Sequence, residues 1–433
     1  MLKTWFNKLF QNPLLKIFSY NGVVVFVKLF TSFAVSKVSA IYLGPSGYAI
    51  VGNFKNLLQS ILGITSSGFE SGVIRYIAEN KQDEKRLNTV VSSVIALSMT
   101  LSLVVALILI VFASPLADMV LKDQSLAFVF RYLALLIPLI SLSFLFIYIL
   151  NGLQKFKAYT LLITISNILN AIASFLLIYF YTLEGALMAS ILVPVLTLGA
   201  SVFITEIRLV LKRAIFNIKV ISLSFLKSIS TYLVMAIYST ILISLSYLLI
   251  RNRVISSLDM HTAGLWEAMN KLSTFYMMFF SSLLTLYLLP QLALNTSIKG
   301  YNKIMKTYFK YLIPFMLVLF IGIYFSRILL IKLFLTDQFK SIEHFFYLQL
   351  TGDFVKVVAF SLAYQFHAKK MTISYFISDA ILYLSFYGFS VYLINSFQLY
   401  GVFYAYVVST ILYLTSVSLF VFLKRTKYLK SDV

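Results

Sequence analysis

Several stretches of this chain are apolar enough to cross a bilayer and yet contain lysine. The run from Gly22 to Gly44 carries Lys28 and Lys37, and later apolar runs carry Lys55, Lys271 and Lys356. A charge at the bilayer centre costs roughly 2.5–3.5 kcal/mol even on lenient insertion scales. Such a residue therefore faces protein or water, pairs with an acid, or binds an anion. Lysine suits phosphate as a point charge. Carboxylates also lie in or beside apolar runs, among them Glu70, Glu267, Asp353 and Asp379, with Glu70 and Asp379 towards the ends of their spans. Glu267 precedes Lys271 by four residues and Asp353 precedes Lys356 by three. Both spacings bring side chains together on a helix, so an internal ion pair is one reading of each and a coupling carboxylate beside a substrate-binding lysine is the other. Lys28 and Lys55 have no acid at helical spacing and must find a counter-charge elsewhere. Lys28 and Lys37 are nine residues apart, a rotation of about 900°, so they point to opposite faces. Lys37 is near enough to the end of its run to snorkel to the interface. Lys28, near the middle, is not.

These residues belong to polar stripes. Asn56, Gln59, Gly63, Ser67 and Glu70 recur at steps of three and four, which is one helix face, with Phe54, Leu58, Ile61 and Thr65 opposite. A second stripe holds Glu267, Lys271, Thr274 and Ser281. A third holds Gln349, Asp353, Lys356, Tyr364 and His367, and Asn167, Asn170 and Ser174 form a short fourth. Small and hydroxyl residues in such stripes also serve helix packing. Where the faces meet, the expectation is a cationic cavity for an anionic solute, with Asn53, Asn56, Gln59 and Asn270 as its polar lining. Glu70, Glu267 and Asp353 are the candidate coupling or ion-pair carboxylates. Most of the 29 tyrosines and 40 phenylalanines are read as packing and interfacial residues.

The elements that must position these groups are transmembrane helices. The chain has 433 residues, 60% of them hydrophobic and 12% charged, against roughly 25% charged in soluble domains. Its mean hydropathy is +0.91. An all-α, multi-pass membrane protein follows. The net charge of +21 does not indicate nucleic acid, because the basic residues fall in alternate loops. No cysteine is present, so disulfides and thiolate metal sites are excluded, and three histidines leave little room for another metal site. No cofactor is expected. The opening "MLKTWFNKLFQNPLLK" lacks a small-residue cleavage site. It reads either as an interfacial helix or as a basic tail.

With about 20 residues per span, twelve spans are expected, near 17–42, 47–74, 89–113, 126–152, 156–181, 184–207, 222–250, 262–291, 308–334, 343–368, 371–395 and 399–423. One set of loops collects Lys and Arg, while "YLGPSGY", "YTLEG" and "NSFQLYG" have none. The positive-inside bias then puts both termini in the cytoplasm. The halves repeat weakly. At an offset of 216 residues Gly185 falls on Gly401 and Ala189 on Ala405, and near 217 Gly47 and Asn53 fall on Gly264 and Asn270. This predicts two six-helix lobes, 1–213 and 214–433, as parallel pseudo-repeats around a central cavity, a transporter architecture.

Longer segments resemble a known family. "LGPSGYAIVGNFKNLLQSILGITSSGFESGVIRYIAE" (Leu43–Glu79) looks like the second span of the oligosaccharide-lipid flippases of O-antigen and enterobacterial common antigen export. "EGALMASILVP" (Glu184–Pro194), "AGLWEAMNKLS" (Ala263–Ser273), "LYLLPQLA" (Leu286–Ala293) and "LQLTGDFVKVVAFSLAYQFHAKK" (Leu348–Lys370) resemble their sixth, eighth and tenth spans. The resemblance is clearest to the common-antigen type. It implies the multidrug/oligosaccharidyl-lipid/polysaccharide exporter fold and an undecaprenyl-pyrophosphate-linked oligosaccharide as substrate. It implies export across the bacterial inner membrane, a role alongside a polysaccharide polymerase and chain-length machinery, and transport rather than enzymatic chemistry. It also adds Arg251, which matches a family arginine, to the substrate-binding set of Lys28, Lys55, Lys271 and Lys356. The sequence departs from the common-antigen type at Glu267 and Lys271, where that type is uncharged. Two other readings stay open: a drug or cation antiporter of the same fold, and a membrane polymerase or ligase acting on the same lipid-linked glycans.

Overall fold

The computed structural model describes residues 13–214, 223–295, 297–369 and 371–428. The expected N-terminal interfacial helix falls largely outside these residues. The described chain is built of helices: α1 (Pro13–Thr65), α2 (Glu70–Asn80), α3 (Glu84–Val111), α4 (Ala127–Gly152), α5 (Phe156–Ser201), α6 (Thr205–Ala214), α7 (Leu223–Ser257), α8 (Met260–Leu283), α9 (Ile298–Phe334), α10 (Phe346–Ala368), α11 (Thr372–Phe397) and α12 (Leu399–Tyr428). Short one-turn and 3₁₀ or π segments connect some of them. Side-chain caps start several, as where Asp83 accepts from the Arg86 backbone N–H at 3.1 Å and Asp259 from that of Thr262.

Among the described residues, eight helices are long and apolar enough to cross a membrane. Two of them are too long for one crossing. Val24–Thr65 has 42 residues and Phe156–Ser201 has 46, spanning about 63 and 69 Å at 1.5 Å per residue, roughly twice a hydrocarbon core. Each is broken midway. Gly44 has φ 59° in α1 and Thr182 has φ 44° in α5. The first break falls on glycine, which adopts positive φ without penalty, and is followed by Pro45. Each long helix therefore holds one expected span and most of the next, since 47–74 runs past Thr65 and 184–207 past Ser201 into separate helices. The expected seventh and eighth spans are helices α7 and α8, with 35 and 24 residues; Glu267, Asn270 and Lys271 lower the apolarity of α8.

The repeat read from sequence has a local structural counterpart. Thr182 and Gln398, 216 residues apart, both have positive φ, 44° and 51°. Each is followed three residues later by a glycine. A Cβ on Gly185 would lie 1.9 Å from the Leu177 carbonyl oxygen, and one on Gly401 would lie 2.4 Å from that of Leu393. In both places the chain turns with almost no loop, and glycine lets the outgoing helix lie on the backbone of the incoming one.

The described chain forms two compact units. One comprises the chain up to Leu43 and Phe54–Ile241; the other comprises Gly44–Asn53 and the chain from Leu242 onward. In the first, α4 packs on α3 and α5, and α2 and α6 close one end over a core that includes Phe69, Val73, Val94, Phe146, Ile149 and Ile207. In the second, α12 packs along α10 and α11. The second unit includes ten residues of α1 because α8 presents Gly264 to them. A Cβ on Gly264 would stand 1.7 Å from the Pro45 carbonyl oxygen. Tyr48 meets Phe339 edge-on at 5.5 Å.

Candidate functional site

The most concentrated polar chemistry in the second unit surrounds Asp353 of α10. Its carboxylate is 1% exposed and accepts hydrogen bonds from four side chains on three helices. Ser273 Oγ of α8 donates to Oδ2 at 2.7 Å, and Tyr276 Oη donates to the same oxygen. Tyr406 Oη of α12 donates to Oδ1 at 2.6 Å. Gln349, one turn earlier on α10, donates through Nε2 at 3.2 Å. A buried carboxylate is costly unless its lone pairs are filled, and these donors fill them. Lys356 takes a different seat from the ion pair its spacing suggested. Its Nζ lies 5.5 Å from the ring centroids of both Phe360 and Tyr406, a cation–π arrangement.

A second cluster surrounds Arg251 of α7, which is fully buried. Its Nη1 donates to Asn53 Oδ1 at 2.7 Å, its Nη2 pairs with Glu267 of α8, and its guanidinium stands 5.4 Å from the Trp266 ring. Asn53 Nδ2 donates in turn to Asn252 at 3.3 Å. Gly52 leaves the room that Glu267 occupies, since a Cβ there would meet the carboxyl carbon at 2.6 Å. Glu267 thus turns to Arg251, although Lys271 on its own helix had the expected spacing. Arginine suits this buried position because its weakly hydrated planar fork donates to two acceptors at once. Lys271 Nζ lies 5.5 Å from the Phe275 ring. Aromatic contacts join the two clusters: Trp266 stacks on Tyr247 at 5.6 Å, Phe386 touches both, and Phe386 meets Tyr406 at 5.5 Å.

In the first unit Lys28 is exposed and Lys37 is half-buried. Glu70, which opens α2, is close enough to Lys28 to interact with it electrostatically. Tyr148 and Tyr159 feel the same carboxylate. The stripe from Asn56 to Glu70 is not one continuous helix face. α1 ends at Thr65, Ser67–Phe69 form a 3₁₀ turn, and Glu70 opens α2. Within α1 the two faces separate as expected: Phe54, Leu58, Ile61 and Thr65 are buried, while Gln59 is exposed and Lys55 and Asn56 are half-buried. Thr65 anchors a buried hydroxyl chain. Ser98 donates to its carbonyl at 2.6 Å, Ser141 to its hydroxyl at 2.8 Å, and Ser102 to Ser141 at 3.0 Å. Asn56 Nδ2 and Asn270 Nδ2 are buried without an acceptor among the described residues.

The polar stripes had singled out Asp353, Glu267 and Gln349, the repeat and the cavity lining Asn53, and the family resemblance Arg251; none of these pointed to Ser273, Tyr276, Trp266 or Tyr406, which the structure places in the same clusters. Serine and tyrosine carry no charge to mark them within an apolar run. The available signal was helical register, since Ser273 and Tyr276 are three apart on α8.

Residues 14–295 match the family described as polysaccharide biosynthesis protein. The chain is similar to the Lipid III flippases of Escherichia coli K12 and Shigella flexneri, each 24% identical over 396 residues, which are 89% of this chain and 93% of the relative. Among solved structures it resembles an inward-facing multidrug resistance MATE family transporter of the MOP superfamily, at TM-score 0.75 and 15% identity, covering 94% of this chain and 97% of that one. It also resembles the Lipid II flippase MurJ in an inward closed conformation, at TM-score 0.69 and 18% identity, covering 95% and 87%.

Proposed function

The chain belongs to the polysaccharide biosynthesis protein family, and from that premise we propose that it is a flippase for a lipid-linked oligosaccharide. The observation that carries this reading is the similarity to the Lipid III flippases over nearly the whole of both chains. The substrate is an undecaprenyl-pyrophosphate-linked repeat unit, moved from the cytoplasmic to the periplasmic leaflet of a bacterial inner membrane by alternating access. Both termini are cytoplasmic, and a polysaccharide polymerase with its chain-length machinery receives the product.

The chemistry of the membrane segments supports this. Lys28 and Lys55 in the first unit, and Lys271 and Lys356 in the second, are each read as point charges suited to phosphate. Arg251 serves the site indirectly, because Glu267 already holds its guanidinium. Asn56 and Asn270 have amide donors left for sugar hydroxyls, and Asn53 and Gln59 extend the polar lining. Glu70 balances Lys28, and Glu267 balances Arg251. That leaves Asp353, with hydroxyl and amide donors around it, as the carboxylate best placed to take a proton or cation during the cycle. Outward movement of two negative charges is also favoured by an inside-negative potential, by about 2.3 kcal/mol per charge per 100 mV.

A drug or cation antiporter is the second reading, favoured by the TM-score of 0.75 to a multidrug transporter. Intramembrane lysine argues against it, and transport of a cationic dye by the purified protein would revive it. The direct test uses proteoliposomes carrying a fluorescent undecaprenyl-pyrophosphate oligosaccharide, with leaflet position read by a membrane-impermeant quencher. Lys28→Ala is expected to slow translocation at least tenfold at equal incorporation, with Lys28→Arg intermediate. Wild-type protein no faster than empty vesicles would overturn the flippase reading, and an unimpaired alanine variant would remove the role given to Lys28.

A further inference from the structure

Tyr406 touches three residues of one face of α10. Its hydroxyl donates to Asp353 Oδ1 at 2.6 Å. One face of its ring forms a wall of the Lys356 seat, 5.5 Å from Nζ. Its ring edge lies against Gly352, where a Cβ would come within 2.5 Å of Cδ1 and Cε1. Residues 352, 353 and 356 share a helix face by their spacing, so one tyrosine reads the carboxylate and the ammonium together. Asp353 and Lys356 themselves have separate partners. The carboxylate takes hydroxyl and amide donors, while the lysine rests on two rings.

We propose that Tyr406 is a positioning residue that couples the charge state of Asp353 to the seat of Lys356. With Asp353 ionised, the Tyr406 hydroxyl is held by an anionic acceptor. The ring is then fixed against Gly352 and beside Phe386, whose centroid is 5.5 Å away, and Lys356 lies over it. When Asp353 is neutralised by a proton or a bound cation, that charge-assisted bond weakens to an ordinary one. The ring is then free to leave its place, and the lysine loses one wall of its seat. The other groups around Asp353, namely Ser273 and Tyr276 of α8 and Gln349 of α10, touch the carboxylate and not the lysine seat. Tyr406 is therefore the side chain through which the signal passes. Loading of the carboxylate would shift Lys356 between a held and a released state, which is the link an ion-coupled anion carrier needs.

The inference rests on the reading of Asp353 and Lys356 as coupling and substrate-binding groups. Its test uses no substrate, so its failure is separable from failure of the flippase assignment. The full-length protein in nanodiscs is treated with an amine-selective acylating reagent at one fixed pH. Labelling of Lys356 is read by peptide mass spectrometry against the exposed Lys303 as internal reference. Asp353→Asn, the neutral analogue, is expected to raise relative labelling of Lys356 about tenfold, the scale of exchanging a charge-assisted hydrogen bond for a neutral one. Tyr406→Phe keeps the ring and removes only the hydroxyl, and is expected to reproduce that rise. The double variant should add little to either single change, because both break the same link. Ser273→Ala, which removes a donor to Asp353 remote from Lys356, should leave labelling within twofold. Wild-type labelling in Tyr406→Phe, or multiplicative effects in the double variant, would overturn the proposal.

Discussion

Arg251 and Glu267 offer a measurement that separates a structural arginine from a substrate-binding one. The guanidinium is fully buried and the Glu267 side chain is 18% exposed. Removing one partner of a buried ion pair costs about 3–5 kcal/mol, because the other charge is left uncompensated. After Glu267→Gln, Arg251 keeps its bond to Asn53 and the face of Trp266, so the lower end, about 3 kcal/mol, is the fitting value. For a unit of this size each kcal/mol shifts the melting temperature by about 2–4 °C, giving a fall of about 6–12 °C. Replacing both members with methionine should be far milder, since well-packed apolar pairs often match or exceed buried ion pairs. The assay is thermal unfolding of the detergent-purified protein followed by tryptophan fluorescence. Trp266 is one of only two tryptophans and lies in the cluster itself. A Glu267→Gln variant that melts within 1 or 2 °C of the parent would refute this reasoning. The charge of Arg251 would then be satisfied by solvent or by an anion, and its direct role in substrate binding would return.

Other changes test other parts of the structure. Gly185→Ala and Gly401→Ala each drive a methyl into a backbone carbonyl and should each destabilise by about 1–3 kcal/mol, read as a lower melting temperature; unchanged melting would refute the close approach at both turns. Ser141→Ala leaves the hydroxyl of Ser102 without its acceptor and should cost about 1–3 kcal/mol, whereas Ser60→Ala, at a half-buried position bonded only to its own helix, should cost less in the same melt. The Ser125 hydroxyl and backbone N–H hold the exposed Asp123 carboxyl below its usual range. Their contribution to that helix start is therefore present at neutral pH and lost as pH falls through the lowered value. Ser125→Ala should move the Asp123 midpoint upward in a carbon-13 NMR titration, and an unmoved midpoint would remove the hydroxyl's role.

What the sequence made legible, and what it hid, follows from how each feature is encoded. Membrane spans are written in local composition, so the apolar runs emerge as helices, and the two that share one long helix are separated where Gly44 and Thr182 turn the backbone. The repeat was weak as a residue match, yet Gly185 and Gly401 both sit where backbone meets backbone. At both positions any larger side chain would run into a backbone carbonyl. Ionisable residues were visible because an apolar run gives no other reason for them. Their partners were not, since helical spacing constrains only one helix. Glu267 has Lys271 at the favoured distance and still pairs with Arg251, sixteen residues away on α7. A fully buried guanidinium has far more to lose unpaired than a half-buried ammonium with an aromatic face beside it. Asp353 likewise gathers hydroxyls from two other helices while Lys356 settles on aromatic faces. In both clusters the burial of the charge, more than its helical spacing, decides which partner it takes. Tyr406 touches both Asp353 and Lys356, two charges whose spacing also allowed a direct pair, and a tyrosine beside a buried acid carries no charge to mark it in an apolar run.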